Sequence, residues 1–181
     1  NGWLNLSGSE YVYCADNSVL DIEEAISIEA WIKRDRTDVN DGIINKRGDS
    51  TTANSFCFYV DSSDTLRFEY GSTGTNNYNI YTATNAITDT NWHHVVAVLN
   101  VSATTRAVLY LDKVDTTLAV DESTTNNIAV TTSNVLIGVL NESSLAAYFK
   151  GSLDEVRIYN RALSEPEITK NYKHGKGKHK N

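Results

Sequence analysis

The chain has 181 residues, 40% of them hydrophobic and 22% charged, and a mean hydropathy of -0.36, a profile that suits one water-facing domain built on a single core. No run approaches the ~20 apolar residues that a membrane helix needs, so membrane insertion is not expected. The net charge of -7 is uneven: residues 173–181 hold four of the sixteen Lys and Arg and no acidic residue, which leaves twelve basic against 23 acidic residues, a net of -11, over residues 1–172. So acidic a body repels polyanions, and nucleic-acid binding by the fold is not expected.

From the N-terminus onward, β-branched and aromatic residues gather in short runs between clusters of Gly, Asn, Asp and Ser. Strands are expected over residues 3–6, 11–14, 26–33, 42–46, 55–60, 65–70, 78–84, 92–99, 106–111, 134–139 and 149–159. Residues 27–33 alternate, with Ile28, Ala30 and Ile32 on one face and Glu29 and Trp31 on the other. Residues 59–68 read as a hairpin turning at Asp61–Asp64. The Thr- and Asn-rich stretches 71–79 and 121–133 read as long connections. The only proline, Pro166, follows the last strand, where it costs no ladder hydrogen bond. It opens an expected helix of one or two turns at 164–170, with Ser164 and Glu167 as a capping box. Two segments follow: a folded unit over 1–172, and a flexible basic tail over 173–181 that is free to touch phosphate or an acidic glycan. Cys14 and Cys57 permit one disulfide at most, and both lie in strand-like runs where a free Cys behaves as a small buried apolar residue. The chain contains no Met and begins at Asn1, as signal cleavage or excision from a longer extracellular polypeptide would leave it.

Four blocks carry a resemblance. Leu4–Val12 runs an apolar strand through Gly8 into Glu10-Tyr-Val; Ile26-Ser-Ile-Glu-Ala-Trp-Ile-Lys33 is followed by Ile43-Ile-Asn-Lys46; Asn91-Trp-His-His-Val-Val-Ala-Val98 precedes Arg106–Lys113; and Gly151-Ser-Leu-Asp-Glu-Val-Arg-Ile-Tyr-Asn-Arg-Ala-Leu-Ser164 closes the set. Together they resemble the laminin-G-like, concanavalin A-like jelly-roll superfamily from Trp3 to Ile168. The resemblance implies an all-β fold, an antiparallel two-sheet sandwich. It also implies, for many members, a structural Ca2+ held by oxygen ligands, for which Asp154 is the leading residue and Glu10 its partner. The loop Asp38-Val-Asn-Asp41 offers further oxygens but lacks the length and order of an EF-hand. Trp31 and Trp92 fall in the matching blocks and are expected in packing. His93 and His94, adjacent in one strand, must point to opposite faces, so they cannot share a metal. The resemblance makes both structural, one buried and hydrogen-bonded and the other at the strand edge. By the same alternation Glu155 and Arg157 are expected on the face opposite Asp154 and Val156.

Tyr59, Arg67, Glu69, Tyr70, Tyr78 and Tyr81 belong to consecutive strands, and these types suit a sugar: rings as platforms, with guanidinium and carboxylate groups taking hydroxyls. Glycoside hydrolysis needs two carboxylates across one cleft, often as Glu-x-Asp-x-(x)-Glu on one strand of this fold; that spacing is absent, and no motif gathers a lyase base with a charge neutraliser. The expectation is therefore a non-catalytic, extracellular or cell-surface module that binds a glycan or mediates adhesion. A structural or protein-interaction domain, a cell-surface or virion decoration that meets a cell-surface protein, is the alternative, ahead of a glycoside hydrolase or polysaccharide lyase.

Overall fold

The computed structural model describes residues 2–48, 54–71, 78–104, 106–121, 127–141 and 144–180. Along them run β1 (Leu4–Ser7), β2 (Val12–Cys14), a 3-10 turn at Ser18–Leu20, β3 (Ala25–Arg34), β4 (Asp41–Arg47), β5 (Asn54–Val60), β6 (Thr65–Gly71), β7 (Tyr78–Ala86) and β8 (Trp92–Asn100). They continue with β9 (Ala107–Leu111), β10 (Val114–Asp115), β11 (Thr117–Asp121), β12 (Val135–Ile137), β13 (Leu140–Asn141), β14 (Leu145–Ala146), β15 (Lys150–Tyr159) and α1 (Glu165–Lys176). Two antiparallel sheets form a sandwich. One has the order β1-β15-β3-β8-β9-β10, the other β11-β7-β6-β5-β4-β12-β2, and β13-β14 is a separate hairpin.

Alternation decides what enters the core. Ile26, Ile28, Ala30 and Ile32 of β3 and Val95, Ala97 and Leu99 of β8 meet Phe56, Phe58, Phe68 and Tyr70 of β5 and β6 across the sandwich. Phe58 and Phe68 are register partners whose rings stand 6.4 Å apart, edge to face. The expected hairpin is present, its turn closed by the Asp64 amide donating to Asp61 O.

The outward face of the six-stranded sheet is covered by α1. Its N-terminus has the expected capping box, with the Glu167 carboxylate accepting from the Ser164 amide at 2.9 Å and hydroxyl at 2.8 Å. Leu163 and Ile168 pack on Val96 and Val98. Beneath the helix lies Glu29, fully buried. It accepts from Arg157 Nη1 at 2.6 Å, the Tyr159 hydroxyl at 2.9 Å and Asn171 Nδ2 at 2.9 Å, and His94 Nε2 stands 3.5 Å away. Burial pushes its carboxyl up, but His94, Asn171, Arg157 and Tyr159 outweigh burial and bring the pKa down to about 2.

The helix exceeds the one or two turns expected and runs into the stretch expected as a flexible tail, where Gly175 and His179 are buried and the other described residues are exposed. Asn171 and Tyr172 reach the polar and aromatic groups of the sheet, and Tyr172 stacks on Trp31 at 5.7 Å. After Lys176 the chain turns so that the His179 ring is sandwiched by Trp31 at 4.5 Å and Trp92 at 4.6 Å, while Lys178 Nζ donates to Glu155 Oε1 at 2.6 Å. Gly175 makes this approach possible, since a Cβ there would stand 2.1 Å from Trp31 Nε1. Gly175→Ala is expected to lift the segment off Trp31, costing about 1–3 kcal/mol as overpacking does. Urea unfolding followed by tryptophan fluorescence checks this: an unchanged midpoint and spectrum would contradict the packing.

Two further expectations change. Cys14 and Cys57 are both free, and only Cys57 is buried, because Cys14 lies on the edge strand β2. The alternation of β15 breaks at a bulge between Asp154 and Arg157, with Glu155 at a φ of 50°. Asp154 pairs with Trp31 and Arg157 with Glu29, so Asp154, Glu155 and Arg157 all serve the outward face while Val156 packs on the core.

Candidate functional site

The pleat of the seven-stranded sheet sorts the six sequence-derived ligand residues. Tyr59 pairs with Arg67 and Cys57 with Glu69, which puts Tyr59, Arg67 and Glu69 together on the outward face. Tyr70 pairs with Phe56 on the other face and is 1% exposed within the core, which removes it from the surface set. Tyr78 and Tyr81 lie on β7 opposite Gly71 and Phe68, and their side chains fall outside the described residues.

The Tyr59 hydroxyl donates to Glu69 Oε1 at 2.5 Å, and Arg47 Nη1 stands 3.7 Å from Glu69 Oε2. Burial, then the Glu69 charge, raises the Tyr59 pKa, so the phenol stays protonated and keeps donating. The Tyr59 ring is no open platform. It packs with Cys57, Leu140 and Ala147, because the β13-β14 hairpin crosses this face. That crossing is close: Asn45 Nδ2 donates to Val139 O at 2.7 Å, and a Cβ on Gly42 would stand 2.4 Å from the Val139 carbonyl carbon. The crevice beside Arg47, Cys57, Glu69 and Gly71 has no volume that even a water-sized sphere can enter, and is too tight for a sugar ring.

Arg67 is the more open cation, its side chain 33% exposed. Its Nε donates to Asp61 Oδ2 at 2.7 Å, and its two Nη groups have no hydrogen-bond partner among the described residues. Asp61 is fixed in turn. Burial pushes its carboxyl up, yet donors from Thr65, Ser63 and Arg67 prevail and hold it below the usual carboxylate range. Neither Arg47 nor Asp61 stood out in sequence. Arg47 follows Lys46 at a shift in the β4-β5 register, and Asp61 reads as an ordinary turn residue.

The structure does not bring Asp154 and Glu10 together. Ser7 pairs with Lys150, four residues or about 13 Å along β15 from Asp154, and Glu10 lies beyond Ser7. The Glu10 carboxylate accepts from the Ser7 amide and hydroxyl, and Asp154 Oδ2 faces His179 Nε2 at 2.9 Å. Among the described residues no three His, Cys, Asp or Glu side chains gather to hold a metal.

The acidic loop 38–41 serves a different end. Asp41 is buried and accepts from Arg34 Nε at 2.8 Å and Arg36 Nη2 at 2.8 Å, while Arg34 Nη1 donates to Asp64 Oδ1 at 2.7 Å. Arg34 completes its set with the carbonyls of Ile87 and Val39. His93 and His94 do face opposite ways. The buried one, His94, has no ring-nitrogen hydrogen bond among the described residues, whereas the half-buried His93 bridges Asp112 at 2.8 Å and Asp89 at 3.0 Å. Burial lowers the His93 pKa, but the two carboxylates win and raise it. Trp31 and Trp92 are buried under the C-terminal turn, not in the central core.

Among the described residues no helix is long and apolar enough to cross a membrane. No curated protein matches the chain. Among solved structures, the CBM40 domain of the Ruminococcus gnavus IT-sialidase, bound to alpha2,3 sialyllactose, superposes with a TM-score of 0.76 at 15% identity, over 95% of this chain and 97% of that one. The binding domain of Paraclostridial Mosquitocidal Protein 1 gives 0.67 at 14% identity, over 94% of this chain and 42% of that one. A structure of botulinum neurotoxin type C, whose cell entry depends on interaction with two ganglioside molecules, gives 0.66 at 13%, over 91% and 39%. At these identities the likeness is one of fold. The family model described as the concanavalin A-like lectin/glucanases superfamily matches residues 6–169, and the chain belongs to that superfamily.

Proposed function

We propose that the chain is a non-catalytic, extracellular or cell-surface carbohydrate-binding module, and that it takes an acidic glycan terminus on the outward face of the seven-stranded sheet. The observation that carries this reading is the half-open guanidinium of Arg67, steered by Asp61 and set on the same sheet face as Glu69 and Tyr59, which the β13-β14 hairpin partly covers. A guanidinium whose two Nη groups have no hydrogen-bond partner among the described residues suits a planar carboxylate, which it can meet with parallel hydrogen bonds. The CBM40 domain and the neurotoxin supply context, since sialyllactose and gangliosides are what their structures concern. A hydrolytic reading finds less support: a general acid needs a raised pKa, and Asp61 is held low.

A glycan array followed by calorimetry tests the proposal. Sialylated or uronic-acid-bearing glycans are expected to bind and their neutral counterparts to bind more weakly at this face. Arg67→Ala is expected to weaken binding about 10–100-fold, the scale of a lost charged hydrogen bond. No affinity for any acidic glycan would overturn it. A second reading, a protein-interaction domain, draws on β2, an edge strand beside which Tyr11, Val12 and Tyr13 are 40%, 44% and 63% exposed. A stable oligomer in light scattering that is lost on charging Tyr13 would favour it.

A further inference from the structure

We infer that the hollow between β1 and the C-terminal turn is a second sugar subsite, one that takes a single neutral pyranose unit. It lies on the other sheet from Arg67 and stands whether or not the first face binds an acidic glycan.

The hollow has a cavity volume of about 140 Å³ and is lined by Gly2, Trp3, Asp154 and Lys178. That is smaller than a drug-sized ligand site, so it suits one ring lying partly in the open and not an extended chain. Its wall is aromatic. Trp3 is half-buried and held edge to face against Trp92 at 5.7 Å, so its indole is fixed in place before any ligand arrives. A fixed indole offers a sugar's C–H face a flat apolar partner at little cost in side-chain entropy.

Its floor is polar and prearranged. Asp154 reaches the hollow from the first residue of the β15 bulge, where Glu155 takes a left-handed φ of 50°, a conformation that costs a non-glycine residue energy. The bulge sends Asp154 and Glu155 to the same face, where His179 holds one oxygen of Asp154 at 2.9 Å and the Glu155 amide donates to the other at 2.8 Å. A carboxylate has about four lone-pair sites, so each oxygen can still accept from a sugar hydroxyl. Lys178, 59% exposed, uses one of its three N–H groups on Glu155 and keeps two for sugar oxygens.

Charge selects the class of sugar. Of the four residues that line the hollow, one is a carboxylate, Asp154, and one a cation, Lys178, which is itself paired with Glu155, so no unpaired cation draws a carboxylate-bearing ligand. A ring platform with one acceptor group and one donor group, electrically neutral overall, fits the hydroxyl pattern of a hexose or its N-acetyl derivative.

The test uses the full chain. Its three Trp indole N–H signals are followed by NMR while methyl glycosides of neutral hexoses and N-acetylhexosamines are added at millimolar concentrations, with the methyl glycoside of sialic acid run in parallel. At least one neutral glycoside is expected to shift the Trp3 signal saturably. Trp3→Ala, read by calorimetry, is expected to weaken that binding at least about tenfold and to leave acidic-glycan binding unchanged. Asp154→Asn removes the carboxylate at constant volume and is expected to weaken it several-fold, and Lys178→Ala likewise. Melting curves of the three variants show whether each is folded; loss of binding in a folded Asp154→Asn or Lys178→Ala supports the site even if Trp3→Ala unfolds. The inference is overturned if no neutral glycoside shifts Trp3, if only the sialoside does, or if binding survives in folded Trp3→Ala.

Discussion

Replacing Arg34 with leucine is expected to cost about 3–5 kcal/mol of folding stability, the scale for breaking a buried ion pair by removing one partner. The Arg34 side chain is wholly buried and its guanidinium neutralises Asp41, also wholly buried, and Asp64, 6% exposed. Leucine fills the aliphatic part of the space but leaves Asp64 without its cation and Asp41 with only Arg36. It also frees the Val39 and Ile87 carbonyls that Arg34 had satisfied. For a domain of this size the loss corresponds to a fall in melting temperature of about 6–20 °C. Urea unfolding of Arg34→Leu beside wild type measures it. The triple variant Arg34→Leu, Asp41→Asn, Asp64→Asn removes the stranded charges and is expected to recover part of the loss, because the cost lies in uncompensated carboxylates more than in the absent pair. A single variant as stable as wild type would mean that water reaches the cluster. The effect would be structural in origin, yet it would reach the candidate site, because Asp64 closes the same turn in which Asp61 orients Arg67.

The parts legible in sequence are those governed by a local period. The division of Ile28, Ala30 and Ile32 from Glu29 and Trp31 follows from the two-residue repeat of a strand, and the Asp61–Asp64 turn and the Ser164–Glu167 box from residues within reach of one another. What was hidden depends on contacts distant in sequence. Tyr59 reads as a platform until the hairpin carrying Leu140 and Ala147 crosses it. The bulge at Glu155 is a matter of one dihedral angle, and no residue type in Leu153–Arg157 announces it. The contact made by the last helical turn was hidden for a physical reason: Gly175 and Gly177 among four lysines resemble a solvated coil, whereas a Cβ on Gly175 would collide with the Trp31 indole. Asp154 was legible as a polar residue in demand of a partner, but its partner is His179, 25 residues away.

Acid is expected to destabilise the protein through Glu29, by about 3 kcal/mol between pH 4.5 and pH 2. In the unfolded chain its pKa is the ordinary 4.5; in the folded protein it falls to about 2, and the difference of roughly two to three pH units converts at about 1.4 kcal/mol each. Because the folded pKa is the lower one, the stabilisation is complete above pH 4.5, where both states are ionised, and is lost as the pH falls toward 2 and the unfolded chain binds the proton first. The carboxylate joins β3 to β15 through Arg157 and Tyr159 and to α1 through Asn171, so its protonation loosens the helix from the sheet. Glu29→Gln tests the assignment, since it keeps the volume and removes the charge. At pH 7 it is expected to lose roughly the same 3 kcal/mol, and between pH 4.5 and 2 its stability is expected to fall less steeply than that of wild type. Lowered carboxylates that share no partner with Glu29, Asp61 and Glu10 among them, act equally in both proteins and cancel in the comparison. Urea midpoints across that range measure the two slopes. Parallel slopes would place the acid sensitivity elsewhere, while converging ones would show that the helix is fastened to the sheet by one buried charge.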